Sequence, residues 1–96
     1  VCGPWLTTAD EVGDPGNLRL FITVNGEMRQ DASTARMVYD VPKLIEYASS
    51  MYTLLPGDLI FTGTPEGVGP VKPGDVLHAE IEKVGAFDIR VAAEYA

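Results

Sequence analysis

Apolar and polar residues alternate along Asn17 to Val24. Leu18, Leu20, Ile22 and Val24 fall on one face, and Arg19, Phe21 and Thr23 on the other. That period of two predicts a strand. Asn25-Gly26 follows directly. A type I′ hairpin turn needs positive φ at both central residues, which Asn-Gly supplies. Glu27 to Asp31 is therefore expected to return as a polar partner strand.

The period then changes. Val41, Leu44, Ile45, Ala48 and Met51 recur at helical spacing, which predicts one helix over about Val41 to Met51 or Tyr52 with a single apolar stripe. Asp40 is placed to cap it, since its carboxylate can accept from the free N–H groups of the first turn. Pro42 sits where its missing N–H is not needed. Two Pro-Gly-Asp triplets follow, Pro56-Gly57-Asp58 and Pro73-Gly74-Asp75. Each suits a type II turn, with Pro second and Gly third. Each leads into β-prone residues, Asp58 to Thr62 and Val76 to Glu82. Val84-Gly85 predicts another turn, and Ala86 to Val91 a last strand. Trp5 to Thr8 is a further short β-prone run, and Ala9 to Asn17 has loop composition. The expectation is six or so strands and one helix, a mainly β chain of the α+β class.

Composition narrows the partners. The 96 residues make one small domain. Fourteen Asp and Glu against seven Lys and Arg give a net charge of −7, the wrong sign for a nucleic-acid backbone or an anionic membrane. The longest apolar runs fall far short of the roughly 20 residues of a membrane span. One cysteine, Cys2, excludes an internal disulfide and a multi-cysteine zinc site. A reducing, cytoplasmic setting fits. The chain starts at Val1 without an initiator Met or a signal-peptide pattern, and the expectation is a portion of a longer protein.

The segment with most chemical promise is Thr62-Gly63-Thr64-Pro65-Glu66-Gly67-Val68-Gly69-Pro70. Its glycines let backbone approach a ligand, and two hydroxyls flank Gly63. Such a turn can form an anion-binding nest. It is not a P-loop, because no Gly-Lys-[Ser/Thr] follows. On composition alone, such a loop is more often structural. His78 shares a strand face with Glu80 and Glu82 and could ligate a metal, although alternating polar residues are ordinarily a solvated face. Cys2 beside Trp5 reads as packing more readily than as a reactive thiol. Asp10, Glu11 and Asp14 lack the spacing of a calcium loop. Gln30-Asp31-Ala32-Ser33-Thr34 could line a cleft. Tyr39, Tyr47, Met51 and Tyr52 read as packing.

Taken in order, Gly3-Pro4-Trp5-Leu6-Thr7-Thr8-Ala9-Asp10-Glu11-Val12, Asn17-Leu18, Val24-Asn25-Gly26-Glu27, Gln30-Asp31, Leu55 to Gly69 and Lys72-Pro73-Gly74-Asp75 resemble the C-terminal half of the fumarylacetoacetate hydrolase family. The Thr-Gly-Thr-Pro-x-Gly-Val-Gly run after Pro-Gly-Asp is the most specific element. The resemblance covers essentially the whole chain, residues 1–96. It implies a mixed β-sandwich roll. It also implies an enzyme that hydrolyses, isomerises, decarboxylates or hydrates small 2-oxo and 2,4-dioxo acids, 2-hydroxyhepta-2,4-diene-1,7-dioate isomerase among such activities. The implied cofactor is Mg²⁺, with Mn²⁺ or Ca²⁺ as substitutes, acting as a Lewis acid on the chelating oxo-acid. The implied assembly is a homodimer. The family's metal ligands, a Glu-x-Glu pair and a later Asp, precede the Gly-Pro-Trp block and would lie upstream of Val1. Glu80-x-Glu82 has the right letters in the wrong place. What transfers by motif is the substrate-carboxylate role of Thr64, with Gly63 and Thr62 shaping the turn, and this favours the anion-binding reading of that loop. No catalytic base or metal ligand transfers. A reading from another class remains: a non-catalytic β-domain serving binding or assembly.

Overall fold

The computed structural model describes residues 2–93; Val1 lies outside them. Its centre is a four-stranded antiparallel sheet built from β1 (Arg19–Val24), β2 (Glu27–Ser33), β3 (Val76–Ile81) and β4 (Gly85–Arg90). The strand order is β2-β1-β3-β4. The period-two segment thus becomes an inner strand, flanked by β2 and β3. Leu18 and Val24, 4% and 5% exposed, are its buried apolar residues.

Local chemistry explains the turns. Asn25 and Gly26 adopt φ of 51° and 83°, the left-handed pair that joins β1 to β2. The two Pro-Gly-Asp turns share one construction. Gly57 and Gly74 both have φ of 94°. The Asp58 and Asp75 amides donate to the Leu55 and Lys72 carbonyls, each at 3.0 Å. Their carboxylates in turn accept from Leu55 N at 2.8 Å and Lys72 N at 2.9 Å.

The main helix, α2 (Val41–Met51), follows a short α1 (Ala9–Val12). Asp40 caps α2 by accepting from Lys43 N at 2.9 Å, and Pro42 occupies its first turn. Val41, Leu44 and Ala48 form its half-buried stripe, whereas Ile45 and Met51 are exposed. No helix among the described residues is long and apolar enough to cross a membrane.

Two predicted strands are absent among the described residues. Trp5 to Thr8 is irregular and leads into α1, which takes up part of the predicted loop. Asp58 to Thr62 is also irregular, with Leu59 65% and Phe61 85% exposed. A strand needs a neighbour to accept its ladder of hydrogen bonds, and no strand of the sheet pairs with this segment. The 84–85 turn begins earlier than expected, at Glu82, and Gly85 already belongs to β4.

Candidate functional site

The β1–β2 ladder contains one irregularity. Ile22 pairs with Gln30, yet the next residue, Thr23, pairs with Met28. Arg29 is the extra residue of a β-bulge. Side chains directly opposite across two strands share a face, so the bulge sets the parity of β2. Met28 follows Thr23 and is exposed, while Gln30 follows Ile22 to the apolar face, where it is only 8% exposed.

A buried amide on an apolar face requires partners. Gln30 finds them in the glycine-rich loop. Its Nε2 donates to Thr64 Oγ1 at 2.9 Å and to the Pro65 carbonyl at 2.7 Å, with the Glu66 carbonyl at 3.4 Å. The bulged Arg29 holds the next part of the loop. A Cβ on Gly67, whose φ is +103°, would stand 2.1 Å from the Arg29 carbonyl oxygen, so only glycine allows this approach. The Arg29 guanidinium donates to the Pro70 carbonyl at 3.3 Å. Gly67, Val68, Gly69 and Val71 form a shallow cleft with the bulge, Ile22, Val24 and Leu77.

Thr62, Gly63 and Thr64 all lie in this loop and are exposed. Gly63 has φ of +94° with open space where a Cβ would be. Thr64 Oγ1 accepts from Gln30, and among the described residues its O–H donates to no protein acceptor. The arrangement presents a hydroxyl donor on a backbone fixed from behind, which suits a carboxylate oxygen.

The other candidates serve the scaffold. Asp31 points to the opposite face and accepts from Arg19 Nε at 2.9 Å; the Arg19 guanidinium holds its carboxyl below the usual carboxylate range. Ser33 accepts from Ala35 N at 3.1 Å, and Thr34 Oγ1 from Leu18 N at 2.9 Å. Asp14 accepts from Gly16 N in its own loop at 2.9 Å, and Asp10 and Glu11 lie on α1. His78 Nδ1 lies 2.7 Å from Asp88 Oδ1 and its Nε2 3.5 Å from Glu80 Oε1. Asp88 foremost raises its pKa. No group of three His, Cys, Asp or Glu among the described residues is placed to hold a metal ion. Two packing expectations are corrected. Cys2 is exposed, and so are Tyr39, Tyr47, Met51 and Tyr52, because nothing in residues 2–93 covers them.

Gln30 was visible in the sequence as part of a polar stretch and of the Gln30-Asp31 block of the resemblance. Its distance from the Asn-Gly turn misleads. Simple alternation puts it with Met28, and only the bulge separates the two.

An antiparallel sheet with a glycine-rich loop stapled to a bulged strand is the structural class. A family model described as fumarylacetoacetate (FAA) hydrolase C-terminal matches residues 1–92. The chain belongs to the fumarylacetoacetate hydrolase family. It is 54% identical over 91 residues to a maleylpyruvate hydrolase of Aquipseudomonas alcaligenes, covering 95% of this chain and 32% of that protein. It is 46% identical over 92 residues to a 4-hydroxyphenylacetate degradation bifunctional isomerase/decarboxylase of Salmonella dublin, covering 96% and 21%. Among solved structures it superposes with a TM-score of 0.91 and 50% identity on maleylpyruvate hydrolase from Sphingobium sp. in complex with manganese(II) and pyruvate, covering 94% of this chain and 34% of that one. The chain thus spans 21–34% of the length of these proteins.

Proposed function

We propose that residues 1–96 are the C-terminal part of the catalytic domain of a divalent-metal-dependent enzyme that acts on a small 2-oxo or 2,4-dioxo acid. The reaction is hydrolysis of a C–C bond, decarboxylation or keto–enol isomerisation; relatives named as a hydrolase and as an isomerase/decarboxylase support that range. Thr64 receives the substrate carboxylate, and Gly63 and Thr62 shape the turn that presents it. The observation that carries this reading is the Thr64 hydroxyl, exposed yet anchored through Oγ1 to the buried amide of Gln30. A relative holding manganese and pyruvate, a 2-oxo carboxylate, supports the same class of ligand.

The metal is Mg²⁺ or Mn²⁺. The described residues offer no cluster to hold it; by the family resemblance, its ligands belong to a preceding part of the protein. What this chain contributes is binding and orientation. A carboxylate fixed at one end by Thr64 restricts the oxo-acid to one pose relative to the groups that act on its other end. The working protein is a cytoplasmic homodimer.

The test is turnover of an acylpyruvate, oxaloacetate and an unsaturated 2-oxo diacid by the full-length protein, with and without a chelator. Metal-dependent turnover of one of them is expected, with a raised KM in Thr64→Ala. If Thr64→Ala matches the wild type in KM and kcat, the carboxylate role is wrong. A non-catalytic assembly module gives no turnover of any of the three.

A further inference from the structure

We propose that Gln30 is a positioning residue for the substrate carboxylate, and that the Arg29 bulge is the device that aims it. The inference rests on the assignment of Thr64 made above and extends it to the strand behind the loop.

Gln30 is the one buried polar side chain among the described residues. Its amide nitrogen has two hydrogens to share among Thr64 Oγ1, the Pro65 carbonyl and the Glu66 carbonyl. These contacts have two consequences. They pin consecutive positions of a segment bounded by Gly63 and Gly67, both at positive φ, so less freedom remains to be lost when a ligand binds. They also fix the polarity of the Thr64 hydroxyl. An oxygen that accepts from Gln30 keeps its own hydrogen for an outside acceptor, and a carboxylate is such an acceptor. A side chain that accepted at position 30 would reverse this, drawing the Thr64 hydrogen inward.

The bulge is required because regular pairing would put Gln30 and Met28 on one face. The register step between Ile22 and Thr23 separates them, and bulges beside binding sites commonly re-aim a side chain in this way. Arg29 completes the staple through its carbonyl against Gly67 and its guanidinium on Pro70.

The test uses the full-length protein loaded with Mn²⁺ and measures pyruvate affinity by calorimetry in four forms: wild type, Thr64→Val, Gln30→Met and the double variant. Each single change is expected to weaken pyruvate by about tenfold, the scale of one lost hydrogen bond. The double variant is expected to be little worse than the weaker single one, because Gln30 acts through Thr64. If Thr64→Val weakens pyruvate and Gln30→Met does not, or if the two losses multiply in full, the role of Gln30 is overturned while that of Thr64 stands. If Thr64→Val leaves affinity unchanged, the underlying assignment falls first. Gln30→Glu keeps the size of the side chain and supplies a readout that loss of packing would not move. Its carboxyl, raised by burial among carbonyl oxygens, regains an O–H donor as the pH falls. Pyruvate affinity relative to wild type should therefore recover as the pH falls. Absence of that recovery also overturns the proposal, including where Gln30→Met fails to fold.

Discussion

Asn25 and Asp75 lie fifty positions apart and hold two turns together. The Asn25 Nδ2 donates to Asp75 Oδ1 at 2.9 Å, while Asn25 Oδ1 accepts from Val76 N at 2.9 Å. Asp75 Oδ2 accepts from Lys72 N. The hairpin turn after β1 and the Pro-Gly-Asp turn before β3 are thereby one hydrogen-bonded unit. This fixes β3 beside β1 at the end where both strands meet the glycine-rich loop.

Acid should loosen that unit. The Lys72 amide first, and the Asn25 amide second, hold Asp75 below the ordinary aspartate range. A lowered native pKa means that the stabilisation is fully present above the unfolded value of about 3.9 and is lost as the pH falls through the native one. Denaturation midpoints of the full-length protein, followed from pH 7 to 3, should fall more steeply below about pH 4 in the wild type than in Asp75→Asn. The variant should start from a lower midpoint at neutral pH, since the two hydrogen bonds fall on different carboxylate oxygens and the amide nitrogen that replaces one of them cannot accept. Equal pH slopes in the two proteins would remove Asp75 as a source of acid sensitivity.

The sign is opposite for His78. Asp88, its cross-strand partner, and more weakly Glu80 raise its pKa, and the Phe21 ring lies 6.0 Å away between centroids. The stabilisation from the charged ring is fully present below the unfolded value of about 6.5 and is lost as the pH rises through the raised native one. The assigned His78 resonance should titrate above that ordinary value, and in Asp88→Asn its midpoint should move down. An unmoved midpoint would mean that the 2.7 Å contact carries no charge interaction in solution.

What could be read from the sequence divides along a physical line. Helix α2, the Asn25-Gly26 turn and both Pro-Gly-Asp turns were legible because their determinants are local: a cap, a proline, a glycine at positive φ. Asp58 to Thr62 was misread as a strand because its β-prone residues say nothing about whether a partner lies alongside. The Arg29 bulge was hidden for the same reason, since register is a property of two strands. The site was therefore half legible. Thr62, Gly63 and Thr64 carried a motif, whereas the partner of Thr64, Gln30, became visible only when the register was known. Tyr39, Tyr47 and Tyr52 read as packing because aromatic residues bury large areas when covered, and sequence does not say what covers them.

Gly67 and Gly74 should respond differently to the same change. Both sit at positive φ, but only Gly67 has a neighbour in the way, the Arg29 carbonyl. Gly74→Ala should cost the full-length protein about 1–2 kcal/mol, the strain of a Cβ in left-handed backbone. Gly67→Ala adds an overlap with main chain that cannot move without breaking the bulge, and should cost about 2–4 kcal/mol. It should also weaken pyruvate binding, which Gly74→Ala should not. Chemical denaturation and calorimetry on the two variants measure both effects, and equal costs would mean that the loop does not rest on Arg29 as described.

Phe61 offers a test of the proposed place of this chain in a larger domain. It is 85% exposed in residues 2–93, and Leu59, two residues earlier, is 65% exposed. Two large apolar side chains at alternate positions of one β-prone segment are unusual on a finished surface. The segment also leads directly into Thr62. If a preceding part of the protein packs on it and supplies the strand partner it lacks here, Phe61 is internal in the complete enzyme. Phe61→Asp should then destabilise the full-length protein by about 3 kcal/mol or more, from lost burial and an unpaired buried carboxylate. It should also disturb the Thr62–Thr64 turn, seen as weaker pyruvate binding at temperatures where the variant is still folded. A full-length Phe61→Asp protein that melts with the wild type would show this segment to be solvated in the whole molecule. The chain would then have to be regarded as a unit that does not share its core with a preceding segment at this edge.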